Sequence, residues 1–277
     1  MVLSIILLNY RQCGLVKQCL RGIAQAALPF PYEVIVVDND SRDGCASLIR
    51  SQFPNVTVLS APANLGFSAG NNLGIRHARG EFILILNYDV AVVAGAIPRL
   101  VEFLRAHPRV GVVGPRLVYP DGQIQYSCRR FPRVFTPFYR RTPLGRLPLA
   151  RQELSRYLML DFDHRTDQPV DWLFGACLLL RRTALDAVGL FDERFFLYFE
   201  DLDLCRRFLA AGWQVWYLAS VELVHYHAQS SAEGSALTAL LNPSARHHFT
   251  SWLRYLAKYR GRQVLPSGTL DRQPEGE

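Results

Sequence analysis

Cysteine is scarce and unpaired in pattern. Cys13, Cys19, Cys45, Cys128, Cys177 and Cys205 are scattered along the chain, and no C-x-x-C occurs. That argues against a zinc ribbon or a disulfide framework and makes a reducing cytosol the expected compartment. No apolar run approaches the ~20 residues that cross a bilayer. Residues 1–8 are apolar but short, with no basic stretch before them, so they read as a buried strand and not as a signal peptide. Internal repeats and low-complexity tracts are missing. Charge imbalance is also confined to one place. The net charge is +7, and residues 129–156 account for all of it: Arg129, Arg130, Arg133, Arg140, Arg141, Arg146, Arg151 and Arg156 stand against Glu153 alone. With the remainder balanced and no nucleic-acid motif present, a nucleic acid is not an expected partner.

What is present is a chain of 277 residues, 49% hydrophobic, long enough to bury one full core or at most two. Short β-branched runs at residues 3–8, 34–37, 56–59 and 82–86 alternate with helical patterns at 15–26, 45–52, 69–78 and 94–106. This order predicts a doubly wound, mostly parallel sheet covered on both faces. Ligands of such sheets sit beyond the carboxyl ends of the strands. Polar groups stand at three of those ends: Asn9-Tyr10, Asp38-Asn39-Asp40-Ser41 and Asn87-Tyr88-Asp89. Further strands are expected at 110–113, 116–119, 172–181, 214–218 and 221–224. Helices are expected at 183–188, from the acidic cluster at 200 to about 212, and at 244–259, the last amphipathic and basic through Arg246, Arg254 and Lys258 and offering a second surface contact.

Four segments carry chemistry. Residues 191–206 set Asp192, Glu200, Asp201 and Asp203 among aromatics, a setting that raises carboxyl pKa values and suits a general base. The alternative is a helix N-terminus with acids complementing the dipole. Residues 64–72, containing Gly66, Gly70, Asn71 and Asn72, open a helix where a ligand phosphate can approach the backbone. The Lys-Ser/Thr ending of a Walker loop is missing. Asp89 at a strand end, with His225 downstream, offers a carboxylate and an imidazole for a hard divalent cation. His227 would share a face with His225. The arginine segment, interleaved with Phe131, Phe135, Phe138, Tyr139 and Tyr157, fits contact with phosphates on an anionic membrane surface or a polyanion; the alternative is a solvated loop.

In order over residues 3 to 260 stand Val36-Val37-Asp38-Asn39-Asp40-Ser41, Asn64-Leu65-Gly66-Phe67 through Asn72, and Leu86-Asn87-Tyr88-Asp89. They continue with Trp172-Leu173-Phe174-Gly175-Ala176, Phe199-Glu200-Asp201-Leu202-Asp203-Leu204, and His225 followed by Ser230-Ser231. This ordered set resembles the family-two inverting glycosyltransferases of the A-type nucleotide-sugar fold, in particular their bacterial rhamnosyltransferase-like branch. The resemblance implies an α/β fold built as a single Rossmann-like nucleotide-sugar-binding domain. Residues 1–120 would form the donor half. Residues 121–262 would form the acceptor and catalytic half, including a basic excursion at 121–167, and residues 263–277 would be a disordered tail.

By the same resemblance, Asp201 is the catalytic base. Asn9, Tyr10, Asp38, Ser41, Gly70, Asn71, Asn87 and Asp89 would bind the donor, a dTDP- or UDP-sugar. Trp172, Gly175 and Glu200 would border the acceptor, a glycan or lipid-linked glycan. Asp89 and His225 would hold Mg²⁺ or Mn²⁺. Asn87 departs from the pattern where many relatives carry a first Asp, and Tyr88 where this branch carries Pro. That change implies lowered metal affinity and a reshaped donor pocket. The activity that the resemblance implies is transfer of a sugar such as L-rhamnose from a nucleotide-diphosphate donor, at the inner face of the plasma membrane; the rival is a non-catalytic nucleotide-sugar binder.

Overall fold

The computed structural model describes residues 1–226 and 242–260. His227, Ser230, Ser231 and the expected tail at 263–277 lie outside the described residues. The first half runs β1 (Leu3–Asn9), α1 (Cys13–Gln25), β2 (Tyr32–Asp38), α2 (Cys45–Gln52), β3 (Val56–Ser60), α3 (Gly66–His77), β4 (Phe82–Leu86), β5 (Val90–Ala91) and α4 (Ala96–Ala106). The second half runs β6 (Val110–Val118), β7 (Ile124–Gln125), β8 (Cys128–Arg129), α5 (Thr136–Tyr139), α6 (Pro148–Leu158), β9 (Gln168–Pro169), β10 (Trp172–Leu173), β11 (Cys177–Arg181), α7 (Arg182–Val188), α8 (Glu200–Ala210), β12 (Gln214–His225) and α9 (Pro243–Tyr259). The main sheet has the order β3-β2-β1-β4-β11-β6-β12-β5. The pairs β1–β2, β2–β3, β1–β4 and β12–β6 are parallel, while β11 runs antiparallel to both β4 and β6. One sheet therefore crosses from the first half of the chain into the second.

Alternation along the strands explains why helices cover both faces. Leu3, Ile5 and Leu7 point into a core with α1, α2 and α4, whereas Ile6, Ile35 and Val37 point into a second core with α8 and α9. Gly70 and Gly74 let α3 lie close on that second face: a Cβ at Gly70 would meet Leu8 Cδ1 at 2.5 Å, and one at Gly74 would meet Ile6 Cγ2 at 2.7 Å.

Three expectations need correction. The predicted strand over 172–181 is broken into β10 and β11 by Phe174-Gly175-Ala176, whose backbone bonds elsewhere. The strands expected separately at 110–113 and 116–119 are one strand, as are those at 214–218 and 221–224, the latter carrying a register shift between Leu218 and Glu222. The basic excursion, which has no readable period, holds α5, α6 and a 3₁₀ turn at Pro143–Arg146. Its local order comes from a buried carboxylate. Glu153 accepts bonds from the Thr136 hydroxyl, from Arg156 Nη2 at 2.8 Å and from Arg156 Nε at 2.9 Å.

The terminal helix α9 is read from sequence as basic and surface-facing. In the structure Lys258 turns inward instead, 2.6 Å from Asp203 and 2.7 Å from Asp192. Asp203 is fully buried and also takes Arg207 at 2.9 Å and the Tyr259 hydroxyl at 2.7 Å. This network fixes α9 onto α8.

The glycine-containing segment 64–72 clamps the loop that precedes α8. Phe67 N–H donates to Phe196 O at 2.7 Å, Ser68 Oγ to Phe195 O at 2.5 Å, and the Asn72 amide bonds both backbone groups of Phe191, at 2.8 and 3.0 Å. Gly66 has φ +76°, and a Cβ there would run into Phe196, its ring Cδ2 lying 2.6 Å away. Gly66→Ala is therefore expected to cost about 2 kcal/mol or more, from the left-handed backbone and the clash together. Urea unfolding measures this, and a variant as stable as wild type would contradict the clamp.

Candidate active site

The strand ends gather as the topology requires. Asn9 and Asp38 are neighbours in register, and Asp38 lies beside Ser60. Asn9 and Ser41, both buried, are engaged with each other and with the chain. Asn9 Nδ2 donates to Ser41 Oγ at 3.0 Å and to Asp38 Oδ1 at 3.3 Å, while Ser41 Oγ accepts from Arg11 N–H at 3.0 Å. Of these four donor candidates, Asp38 is half-buried and Tyr10 is exposed, so these two keep surface for a ligand. Asn9 and Ser41 frame them from beneath.

Gly70 faces Leu8, and Asn71 is buried with its Nδ2 donating to Phe67 O at 2.9 Å. The opening of α3 meets the carbonyls of Phe195 and Phe196, which occupy the position that the sequence reading reserves for phosphate. Asn39, singled out only as part of a run, ties the two regions together. Its Oδ1 accepts from Leu65 N–H at 2.8 Å, and its Nδ2 donates to Asn64 Oδ1 at 2.9 Å.

Beyond β4, the pairing of β5 with β12 brings Asp89 to His225, with Oδ1 to Nε2 at 3.3 Å. The tautomer of His225 follows from Gln125, a residue without any signal in the sequence. The Gln125 amide nitrogen donates to His225 O at 2.8 Å, so its Oε1 must face His225 Nδ1, also at 2.8 Å. Oε1 can only accept, and Nδ1 therefore carries the hydrogen. In the neutral ring Nε2 then presents a lone pair to a carboxylate oxygen. Two acceptors set face to face fit a cation between them, and the outer-sphere bond from Gln125 is of the kind that orients ligand histidines. Among the described residues no third His, Cys, Asp or Glu joins the pair. A divalent ion there would complete its shell with donor oxygens. Asn87 is half-buried beside them, its N–H donating to Ala176 O at 2.8 Å.

The acidic segment is positioned by strain and by the clamp described above. Tyr198 and Phe199 sit at φ 70° and 72°, a left-handed pair that turns the chain abruptly into α8. Glu200 and Asp201 thus become the first residues of that helix, at its positive end. Asp201 Oδ2 accepts Gly175 N–H at 2.9 Å and its Oδ1 accepts Leu202 N–H at 2.8 Å. Gly175 permits this approach, since a Cβ there would stand 3.1 Å from the Phe67 ring and 3.6 Å from Asp201 Cβ.

Burial raises the pKa of Asp201, an effect opposed by the two backbone N–H groups and by the Arg129 charge. Burial raises Glu200 further, and the Asp201 charge adds to it. The bonds around Asp201 favour its anion, whereas Glu200 Oε2 lies buried without a donor among the described residues. The pair therefore holds one proton on Glu200 and leaves Asp201 ionised. Asp201 keeps an exposed edge although densely surrounded, which a base that meets a substrate requires. Trp172 is buried beneath this site, its indole N–H donating to Arg130 O at 3.0 Å, so it acts as floor.

Known proteins are similar to this chain in sequence and in fold. The model of glycosyl transferase family 2 matches residues 4–189. An N-acetylglucosaminyl-diphospho-decaprenol L-rhamnosyltransferase of Mycobacterium tuberculosis is 33% identical over 250 residues, 83% of this chain and 76% of the relative. Rhamnosyltransferase WbbL of Escherichia coli is 26% identical over 254 residues, 87% of each chain. Among solved structures, mannosyltransferase PcManGT from Pyrobaculum calidifontis in complex with GDP-Man and Mn²⁺ superposes with a TM-score of 0.57 at 19% identity. It covers 97% of this chain and 77% of that one. GalNAc-T7 with UDP, GalNAc and Mn²⁺ gives 0.66 at 12% identity, over 92% of this chain and 48% of that one.

The shared proton has a consequence for stability. With a raised folded pKa, Glu200 binds more protons in the folded chain than in the unfolded one, so stability falls as pH rises from the ordinary carboxylate range through the raised value. Glu200→Gln removes that loss. Its melting temperature relative to wild type is expected to climb as pH rises above the ordinary carboxylate range, and a difference flat with pH would contradict the assignment.

Proposed function

The chain belongs to glycosyl transferase family 2 and is a glycosyltransferase, and from that premise we propose that it transfers L-rhamnose from a dTDP- or UDP-linked donor to a hydroxyl of a lipid-linked cell-envelope glycan, with inversion. One observation carries the reading. Gly175 holds Asp201 at 2.9 Å while the next residue, Ala176, holds the Asn87 backbone at 2.8 Å. A desolvated base and the strand end that bears Asp89 are thus one dipeptide apart. The choice of sugar and acceptor rests on the two relatives named for rhamnosyl transfer, one of them for a diphospho-decaprenol acceptor.

In this mechanism Asp201 accepts the proton of the acceptor hydroxyl as that oxygen attacks the anomeric carbon. The bond from that carbon to the donor phosphate oxygen breaks on the opposite face, and the nucleoside diphosphate leaves with the electron pair. Positive charge develops on the sugar ring as it does in glycoside hydrolysis. Each oxygen of Asp201 takes one backbone N–H and keeps a lone pair for the incoming proton. Tyr10 and Asp38 face the nucleoside, and Asn87 lies toward the ribose or the diphosphate. Asp89 and His225 would hold Mg²⁺ or Mn²⁺, which supplies Lewis-acid neutralisation of the departing diphosphate. Mn²⁺ in two structural neighbours supports a metal of this class.

The excursion supports peripheral attachment to an anionic membrane at the cytoplasmic face. Phe135, Phe138, Leu144, Leu147 and Leu149 are exposed beside the exposed Arg133, Arg146 and Arg151. No helix among the described residues is long and apolar enough to cross a membrane.

Turnover with dTDP-, UDP- and GDP-sugars tests the reading. Asp201→Asn is expected to lose about 10²-fold or more in kcat, the usual worth of a general base, while still binding donor. Unchanged turnover would remove Asp201 from the chemistry. Gln125→Leu is expected to weaken Mn²⁺ binding at least about tenfold, read from the electron paramagnetic resonance of unbound Mn²⁺. Unaltered binding would separate Gln125 and His225 from the metal.

A further inference from the structure

Five of the eight arginines between residues 129 and 156 have no carboxylate within ion-pair distance among the described residues. Arg130 pairs with Asp161 at 3.0 Å, while Arg133 and Arg156 share Glu153 at 3.3 and 2.8 Å. Arg129, Arg140 and Arg141 are among the unpaired, and they converge. Arg129 and Arg140 flank the same ring, their guanidinium carbons 5.2 and 5.7 Å from the centroid of Tyr157. Arg141 and Arg140 both reach His248 on α9 electrostatically, and together with burial and Arg129 they push that imidazole down to about 3. His248 is therefore neutral and adds no further positive charge.

Arg129 is the anomaly. It is 6% exposed, and Phe174, Tyr157 and Trp172 surround it at 4.1, 5.2 and 5.5 Å. Its Nε donates to Tyr126 O at 3.0 Å and its Nη1 to the Tyr157 hydroxyl at 3.1 Å. Burial lowers its pKa to about 10, so the cation persists at neutral pH. Aromatic faces attract a guanidinium but do not neutralise it. Burying a cation beside other cations with no carboxylate in ion-pair contact is costly, and such an arrangement is relieved when an anion arrives. The acid whose charge it feels is Asp201. β8 pairs with β10 so that Arg129 stands opposite Trp172, three residues before Gly175, which holds the base. The cluster thus adjoins Asp201 through β8 and β10. All its cations are arginines, in a chain whose lysines are Lys17 and Lys258 alone. Guanidinium groups grip phosphate oxygens in pairs where an ammonium acts as a point charge.

We propose that Arg129, Arg140 and Arg141 form the seat of the acceptor's diphosphate, so that the acceptor is recognised by that group beside the base that activates its hydroxyl. This rests on the transferase reading above and adds the acceptor's anchoring group.

The test pairs two acceptors in solution without membranes: N-acetylglucosamine linked by diphosphate to a farnesyl chain, and the neutral octyl N-acetylglucosaminide. In the doubly substituted Arg140→Ala, Arg141→Ala enzyme, kcat/KM for the first is expected to fall at least tenfold relative to the second. Equal effects on both acceptors, or a rise in donor KM in their place, would overturn the proposal. Titration with geranyl diphosphate, followed by tryptophan fluorescence, decides the seat independently of turnover. Wild type is expected to bind it at least tenfold more tightly than the variant, and equal binding would overturn the seat even in an active transferase. Loss of binding to phosphatidylglycerol vesicles with geranyl diphosphate binding unchanged would assign the arginines to lipid headgroups and overturn it too. Failure of both acceptors in wild type, with geranyl diphosphate binding still lost in the variant, would overturn the acceptor proposed above and keep the arginines as a diphosphate seat.

Discussion

Keeping one ionised carboxylate in a desolvated place is the constraint on which the rest of this structure depends. An unpaired buried charge ordinarily takes up a proton instead. Asp201 avoids that through several small contributions: the positive end of α8, the N–H groups of Gly175 and Leu202, and the charge of Arg129 nearby. Glu200 takes the proton that the pair must hold. The geometry is also costly in backbone terms, because two consecutive non-glycine residues, Tyr198 and Phe199, adopt a left-handed conformation at about 1–2 kcal/mol each. Such strain persists only where its surroundings over-determine it.

Those surroundings extend back to the carboxyl ends of the first strands. Asn39, beyond β2, grips Asn64 and Leu65. The segment that follows grips Phe191, Phe195 and Phe196, and the strained turn comes directly after. On the other side, Ser251 holds Leu197 O at 2.9 Å, and the Asp203–Lys258–Arg207 network holds α9 over α8. Buried amides therefore connect the carboxyl end of β2 to the start of α8 across more than a hundred residues of sequence. Polar networks of this kind specify one arrangement when every member is satisfied.

Legibility in the sequence divided along physical lines. The first four strands were readable because strands buried on both faces are continuous apolar runs, and the strand-end polar groups followed from topology. Asp89 and His225 were named from chemistry, and the fold brings them together through β5 and β12, pairing of the kind that spacing does not encode. Asn9, Ser41 and Gly70 read as facing ligand because polarity or small size marks both a site and its scaffold; burial and hydrogen bonding place them, and the large Trp172, in the frame. The excursion was opaque because its helices are short and are organised by Glu153, one buried acid among arginines. Gln125 carried no signal at all, since its role arises only when β7 lies against β6 and its amide meets His225.

The pH dependence of kcat/KM for the acceptor, followed at saturating donor, tests the central claim most directly. The account predicts an acid limb with its midpoint above the ordinary carboxylate range, as burial of Asp201 requires. Asp201→Asn, at its residual rate, should lose that limb. A wild-type limb in the ordinary carboxylate range, or one that survives in Asp201→Asn, would contradict the assignment of Asp201 as the buried base.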